Sequence, residues 1–242
     1  MFNNICMNKN IVVKEVGLFM NIKLFLESII KFIMGVLIIG LLIFVPANTL
    51  NYWNGWLFMG ILFIPMFIAG IVMMIKSPDL LKKRLNAKEK ENTQKQVIIY
   101  SGLMFLSGFI IAGLNYRYNW IILPVPVVIV STVLFLLAYI LYAEVLRENA
   151  YLSRTIEVQE NQKVVDTGLY GIVRHPMYAA TILLFLSMPL VLGSIISFVI
   201  FLVYPFIIIK RIKNEEEVLE KQLDGYSAYK KKVKYKLIPF IW

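Results

Sequence analysis

The stretch Gly168-Leu169-Tyr170-Gly171-Ile172-Val173-Arg174-His175-Pro176-Met177-Tyr178 holds the only histidine of the 242-residue chain and stands at the mouth of a long uncharged run, 176–209. Proline is favoured in the first turn of a helix, where its missing N–H would have been unpaired anyway. Arg174 and His175 therefore form a cationic pair at a predicted helix N-terminus. Free N–H groups and the positive end of the helix dipole favour an anion there, and Arg adds a two-pronged clamp for a carboxylate or phosphate. The stretch reads as an anion pocket at the edge of a membrane span.

Working outward, the run behind Pro176 is too long for one crossing. Gly193-Ser194 near its middle predicts a tight turn between two short helices. Upstream, apolar windows of about 20 residues or more cover roughly 26–47, 53–75, 97–114 and 119–143. The fold class is thus all-α integral membrane: about six helices, four full spans plus a C-terminal short helical hairpin. With 59% hydrophobic and 17% charged residues, an ordinary soluble domain is excluded.

Charge orients the spans. Lys and Arg number four in 1–31, seven in 76–95, four in 144–176 and nine in 210–242, whereas the connections 46–52 and 115–120 hold only Arg117. The positive-inside rule puts both termini in the cytoplasm of a multi-pass cell-membrane protein. Net charge is +10, and a basic face of this kind suits anionic headgroups rather than nucleic acid. Met20-Asn21-Ile22-Lys23 would open the first span as naturally as Met1, so residues 1–19 read as a dispensable extension, and no cleaved signal peptide is expected. Cys6 is alone and His175 is alone, so neither a disulfide nor a protein-built metal site is expected.

Along the chain, residues 1–75 read as membrane scaffold and 76–242 as the functional domain, with its core motifs in 139–242. Ser77 to Leu85 is a proline-initiated helical turn, followed by a polar run from Asn86 to Gln96. Glu144, Arg147, Glu148 and Arg154 mark the chain's emergence from the fourth span. Helical period fades from Thr155 to Val165, and Asp166-Thr167-Gly168 is a turn. Beyond Ile209 an amphipathic helix is expected. At about 100° per residue, Leu219 and Leu223 fall within about 20° of Ile212, Glu216 about 40° to one side, Glu215 about 60° to the other, and Glu217 near the opposite face. First-turn carboxylates are also favoured by the helix dipole alone, or by pairing with Arg211 or Lys213. Tyr226 and Tyr229 precede Lys230-Lys231-Lys232, and the basic stretch ending in Pro239-Phe240-Ile241-Trp242 has the composition of an interfacial anchor.

Gly168, Tyr170, Val173 to Pro176, Tyr178, Arg211-Ile212, Glu215-Glu216 with Leu219, Tyr226, Tyr229 and Pro239 occur in an order that resembles the isoprenylcysteine carboxyl methyltransferase and phospholipid methyltransferase family of integral membrane enzymes. Pro78 to Arg84 is similar to that family's upstream turn. Two departures stand out: three successive Glu at 215–217, and a shortened spacing before Tyr226. The resemblance implies S-adenosyl-L-methionine as cofactor, bound at the cytoplasmic side by the C-terminal third. Consistent with that, no Gly-x-Gly phosphate loop occurs among the 13 glycines. It implies cofactor binding by Tyr170, Arg174, His175, Tyr178, Glu215 and Glu216, with Arg174 and Glu216 as catalytic residues. Arg174 and His175 would meet the cofactor carboxylate, a glutamate its ammonium, and a tyrosine face its sulfonium. The partners implied are the bilayer and a lipophilic acceptor. Carboxyl O-methylation of isoprenylcysteine type is expected first, then phospholipid N-methylation or small-thiol S-methylation. An NADPH-dependent membrane reductase and a transporter are the rival classes, the latter disfavoured because no charged residue sits centrally in a span.

Overall fold

The computed structural model describes the backbone of residues 2–85, 92–152 and 158–242, and the side chains of 22–85, 94–152 and 158–242. Cys6, Lys88 and Arg154, and part of the polar run after Leu85, lie outside the described side chains. Among the described residues the chain is helical: α1 (Phe2–Ala47), α2 (Trp53–Lys76), α3 (Pro78–Leu85), α4 (Asn92–Tyr118), α5 (Val125–Glu148), a 3-10 turn (Gly168–Gly171), α6 (Pro176–Val191), α7 (Ile195–Phe201), α8 (Tyr204–Gln222) and α9 (Tyr226–Lys232). The one extended pairing described is an isolated antiparallel bridge between Ile122 and Ser194.

Among the described residues five segments are long and apolar enough to cross a membrane: Ile22–Ala47, Trp53–Lys76, Gln94–Tyr118, Val125–Glu148 and Ile195–Gln222; α6 is a shorter apolar helix. The hairpin turn falls at Gly193, whose φ of 75° is a conformation that costs glycine little. The two arms are unequal, however. The first is the 16-residue α6; the second is α7 continued by α8 across a break at Leu202-Val203. Pro205 explains the break, because it stands in the first turn of α8 and has no N–H to continue the ladder from α7. The fourth span begins at Val125 rather than 119, since Pro124 holds an extended backbone and caps the helix.

Packing follows from small residues and aromatics. Cβ atoms built on Gly108 and Gly113 of α4 would lie 2.3 Å from Phe201 Cε2 and 2.5 Å from the Ile43 carbonyl oxygen, so the Phe201 ring of α7 rests on the α4 backbone and α1 meets α4 backbone to backbone. Such close approach is how helices associate in lipid, where apolar burial offers no advantage over acyl chains. Phe58, Phe109, Phe135 and Phe201 fill the centre of this core. At one end, Tyr52 Oη donates to the Leu192 carbonyl at 2.5 Å and Asn54 Nδ2 to that of Val191 at 2.9 Å, tying the hairpin turn to the start of α2. At the other end, α6 begins, α5 ends and α8 runs out of the core. A second, small cluster of Leu223, Tyr226, Tyr229 and Val233, with Val158, Val164 and Leu219 against it, assembles there.

Candidate functional site

The end of the bundle where α6 begins holds a cavity lined by residues of the 3-10 turn, α6, α8, α9 and the loops beside them, among them Asn149, Lys163, Tyr170, Arg174, His175, Tyr178, Arg211, Glu215, Tyr226 and Tyr229. Pro176 opens α6, as the sequence predicts, with His175 as its N-cap residue. Arg174 and His175 are thereby placed where the chain leaves the 3-10 turn and enters the core. Gly168 makes that turn possible: its φ is 53°, and a Cβ there would fall 1.8 Å from Glu148 Oε1. The same Glu148 accepts the Leu169 N–H at 2.9 Å. Tyr170 is fixed from both sides, receiving a bond from Asn149 Nδ2 at 3.0 Å on its hydroxyl and from Tyr229 Oη at 2.8 Å on its carbonyl.

The anion expected opposite Arg174 and His175 is supplied by the chain itself. Arg174 Nε donates to Glu216 Oε1 at 2.8 Å, and His175 Nε2 lies 3.1 Å from the same oxygen. Arg174, His175 and Glu216 are 6%, 4% and 4% exposed. Two more cations approach the other oxygen, Lys236 Nζ at 3.5 Å and Lys230 Nζ at 4.0 Å. Nη1 of Arg174 is spent on the carbonyls of Val233 at 2.7 Å and Lys234 at 2.8 Å. A buried ion pair offsets its desolvation cost better as more of its donors are bonded, and here Nε and Nη1 of Arg174 both are. Glu216 does not line the cavity; it stands behind Arg174 and His175 and holds them as wall.

Glu215 takes the position facing the cavity. It accepts a short hydrogen bond from the Tyr178 hydroxyl, which in turn receives Arg211 Nε at 2.8 Å. The Arg211 guanidinium also lies 5.8 Å from the centre of the Tyr178 ring, and the His175 ring stacks on that ring at 5.7 Å. Of the three successive glutamates, 215 faces the cavity, 216 is buried in the wall and 217 is exposed, as the helix geometry orders them. All six residues singled out from the sequence converge on this end of the bundle.

Four contributions escaped that selection. Arg211 lines the cavity beside Glu215, though its place in the Arg-Ile motif offered a signal. Asn149 orients Tyr170 from the end of α5, with no sequence signal beyond its position. The carbonyls of 233–236 are backbone atoms and carry none. Tyr226 is the fourth: its hydroxyl is buried, faces the cavity region and has no hydrogen-bond partner among the described residues. Burial, then the charges of Glu216 and Glu215, push its pKa well above the usual tyrosine value, so it stays a donor at neutral pH. Burial likewise keeps the Tyr170 and Tyr229 hydroxyls protonated.

Comparison with known proteins agrees with the motif order. Residues 126–224 match the family profile described as phospholipid methyltransferase. A Delta(14)-sterol reductase of Mus musculus is 26% identical over 91 residues, a stretch covering 36% of this chain and 22% of the reductase. The matched part is thus a small fraction of that protein's length. The family match spans α5, α6, α7 and α8, the elements that carry Tyr178, Arg211, Glu215 and Glu216 and frame the cavity. The resemblance read from the motifs is borne out over residues 126–224, the stretch that matches the phospholipid methyltransferase profile.

Proposed function

We propose that the protein is a membrane methyltransferase that binds S-adenosyl-L-methionine in the cavity at the start of α6 and methylates a lipophilic acceptor, with carboxyl O-methylation of isoprenylcysteine type as the first reaction to test. The observation that carries the reading is the donor set of that cavity. A carboxylate (Glu215), guanidinium groups (Arg211, Arg174), aromatic faces (Tyr170, Tyr178) and the Tyr226 hydroxyl, without a partner among the described residues, line one space with Leu219, Leu223 and Val164. These residues fit the cofactor, which presents an ammonium, a carboxylate, a sulfonium and an apolar purine.

When bound, the cofactor supplies an electrophilic methyl group on sulfur. Glu215 would meet the ammonium, Arg211 the carboxylate, and Tyr170 or Tyr178 the sulfonium through the ring face. Arg174, His175 and Glu216, assigned to the cofactor by the resemblance, act in this reading by fixing the wall that aims Tyr178 and Glu215. A displacement of this kind needs alignment rather than acid–base power, and holding two reactants in line supplies on the order of 7–11 kcal/mol in favourable systems. Burial of the site strengthens the attraction between an anionic acceptor and a cationic donor.

The similarity to a sterol reductase supports a second reading, a reductase using NADPH. Calorimetric titration of the purified protein with S-adenosyl-L-methionine and with NADPH separates the two. Binding of the first, with label transfer from its methyl group to one of a prenylated cysteine, a phospholipid amine or a lipophilic thiol, is the expected result. Binding of NADPH alone would sink the proposal.

A further inference from the structure

We propose that the loop Ile238–Ile241 inserts into the headgroup region of an anionic bilayer, and that this insertion holds the backbone clasp around Arg174 and His175. The clasp is made of four successive carbonyls. Those of Val233 and Lys234 accept Arg174 Nη1, that of Tyr235 accepts the Arg174 N–H at 2.9 Å and that of Lys236 the His175 N–H at 2.9 Å. The segment then turns back on itself, with the N–H groups of Lys236, Leu237 and Ile238 converging on the Trp242 oxygen at 2.9, 2.9 and 3.1 Å.

The loop so closed has two unlike faces. Leu237 is 8% exposed and belongs to the same core cluster as Tyr178, Ile208 and Ile212, and Trp242 packs against that cluster. The loop is therefore rooted in the bundle that spans the membrane. Its outer face carries Ile238, Phe240 and Ile241, exposed at 51%, 86% and 77%. Phe240 has φ of 65°, a backbone conformation uncommon for a bulky residue, and its exposed ring leans on that of Tyr235 at 5.3 Å. Lys231 and Lys234 stand exposed just before it, beside Lys232, which pairs with Asp166 at 2.7 Å. Large apolar groups outward beside exposed lysines, at the edge of a spanning bundle, match an anionic lipid surface in both chemistry and position.

The test uses the full chain in lipid nanodiscs, in a Cys6→Ser background with an Ile241→Cys residue carrying an environment-sensitive fluorophore. Brominated acyl chains are expected to quench the label, several-fold more in discs containing phosphatidylglycerol than in pure phosphatidylcholine. Lys231→Gln with Lys234→Gln should remove that preference, since each lysine near an anionic surface strengthens attachment about fivefold. Quenching by aqueous iodide but not by brominated lipid would overturn insertion. So would protection from both quenchers, which would mean that protein covers the loop. The coupling is read by amide hydrogen exchange at Arg174 and His175, expected to be at least tenfold faster in phosphatidylcholine than in phosphatidylglycerol discs, and faster in Phe240→Ser with Ile241→Ser, while amides within α5 stay unchanged. Equal exchange of the unmutated chain in both lipids would overturn the coupling without recourse to any variant. Neither readout involves the cofactor, so the result stands apart from the proposed methyl transfer.

Discussion

Glu216 answers Arg174, His175, Lys236 and Lys230 with one carboxylate, and the consequence differs from that of a surface pair. Replacing Glu216 by Leu leaves a buried guanidinium without its counter-charge, and breaking a buried pair in this way costs about 3–5 kcal/mol. Glu217→Gln, one residue on but exposed, should change stability by less than about 0.5 kcal/mol. Thermal unfolding in detergent distinguishes the two. Tyr226 behaves in the opposite sense. Its buried hydroxyl lacks a partner among the described residues, and such a group costs about 1–3 kcal/mol, so Tyr226→Phe should leave the protein as stable or more stable while weakening cofactor binding measured by calorimetry. Unchanged affinity would show that the hydroxyl serves no ligand. At this scale the sequence brought forward side chains that the structure gathers at one end of the bundle, because charged and aromatic residues are scarce enough near an apolar run to be noticed. It did not tell wall from lining: Glu215 and Glu216 differ only by their angle about α8, and the internal partner of Arg174 lies 42 residues away.

The helices were legible where composition decides and obscure where backbone contact decides. Apolar length marked α1, α2, α4 and α5, and Pro176, Gly193 and Pro78 punctuated the chain where the structure punctuates it. The unequal arms of the hairpin were not foreseen, since the effect of Pro205 depends on which turn of the helix it occupies. Nor does any sequence pattern separate Gly113, on whose Cβ position the Ile43 carbonyl encroaches, from Gly102, which has nothing within 4 Å. The two should respond oppositely. Gly113→Ala forces α1 from α4 and should cost about 1–3 kcal/mol, whereas Gly102→Ala in the same helix should gain up to about 1 kcal/mol from helix propensity. Unfolding of both variants in one detergent checks the contrast. The register of α8 is a functional quantity too. Two alanines inserted after Ile209 would rotate Glu215 and Glu216 by about 200°, away from Tyr178 and Arg174. Cofactor binding should be lost while membrane insertion persists, and an insertion variant that binds normally would show that the α6 and α8 motifs do not share one pocket.

Over the whole molecule, polar chemistry and basic charge gather at one end of the bundle. The cavity, the Arg174–Glu216 pair and the lysines of α9 lie where α5 ends and α6 begins. The opposite end is closed by neutral contacts: Tyr116 Oη on the Asn51 carbonyl at 2.6 Å, the Leu123 N–H on that of Gly193 at 3.2 Å, and the Ile122–Ser194 bridge. Asn48 and Asn119 mark the turns there, with φ of 53° and 54°. This polarity follows from two terms of the sequence read together, apolar length and the distribution of Lys and Arg, and it converts into an orientation through the cost of carrying cations across the bilayer. Single-cysteine variants in a Cys6→Ser background should therefore react with an impermeant maleimide from outside the cell at Asn48 and Asn119, and at Lys231 only after permeabilisation. Asn119 is the sharper probe because Arg117, the one basic residue of that face, is its near neighbour. Labelling of Lys231 in intact cells would invert the molecule, placing the cavity on the face away from the cytoplasmic pool of S-adenosyl-L-methionine and leaving the proposed reaction without its methyl donor.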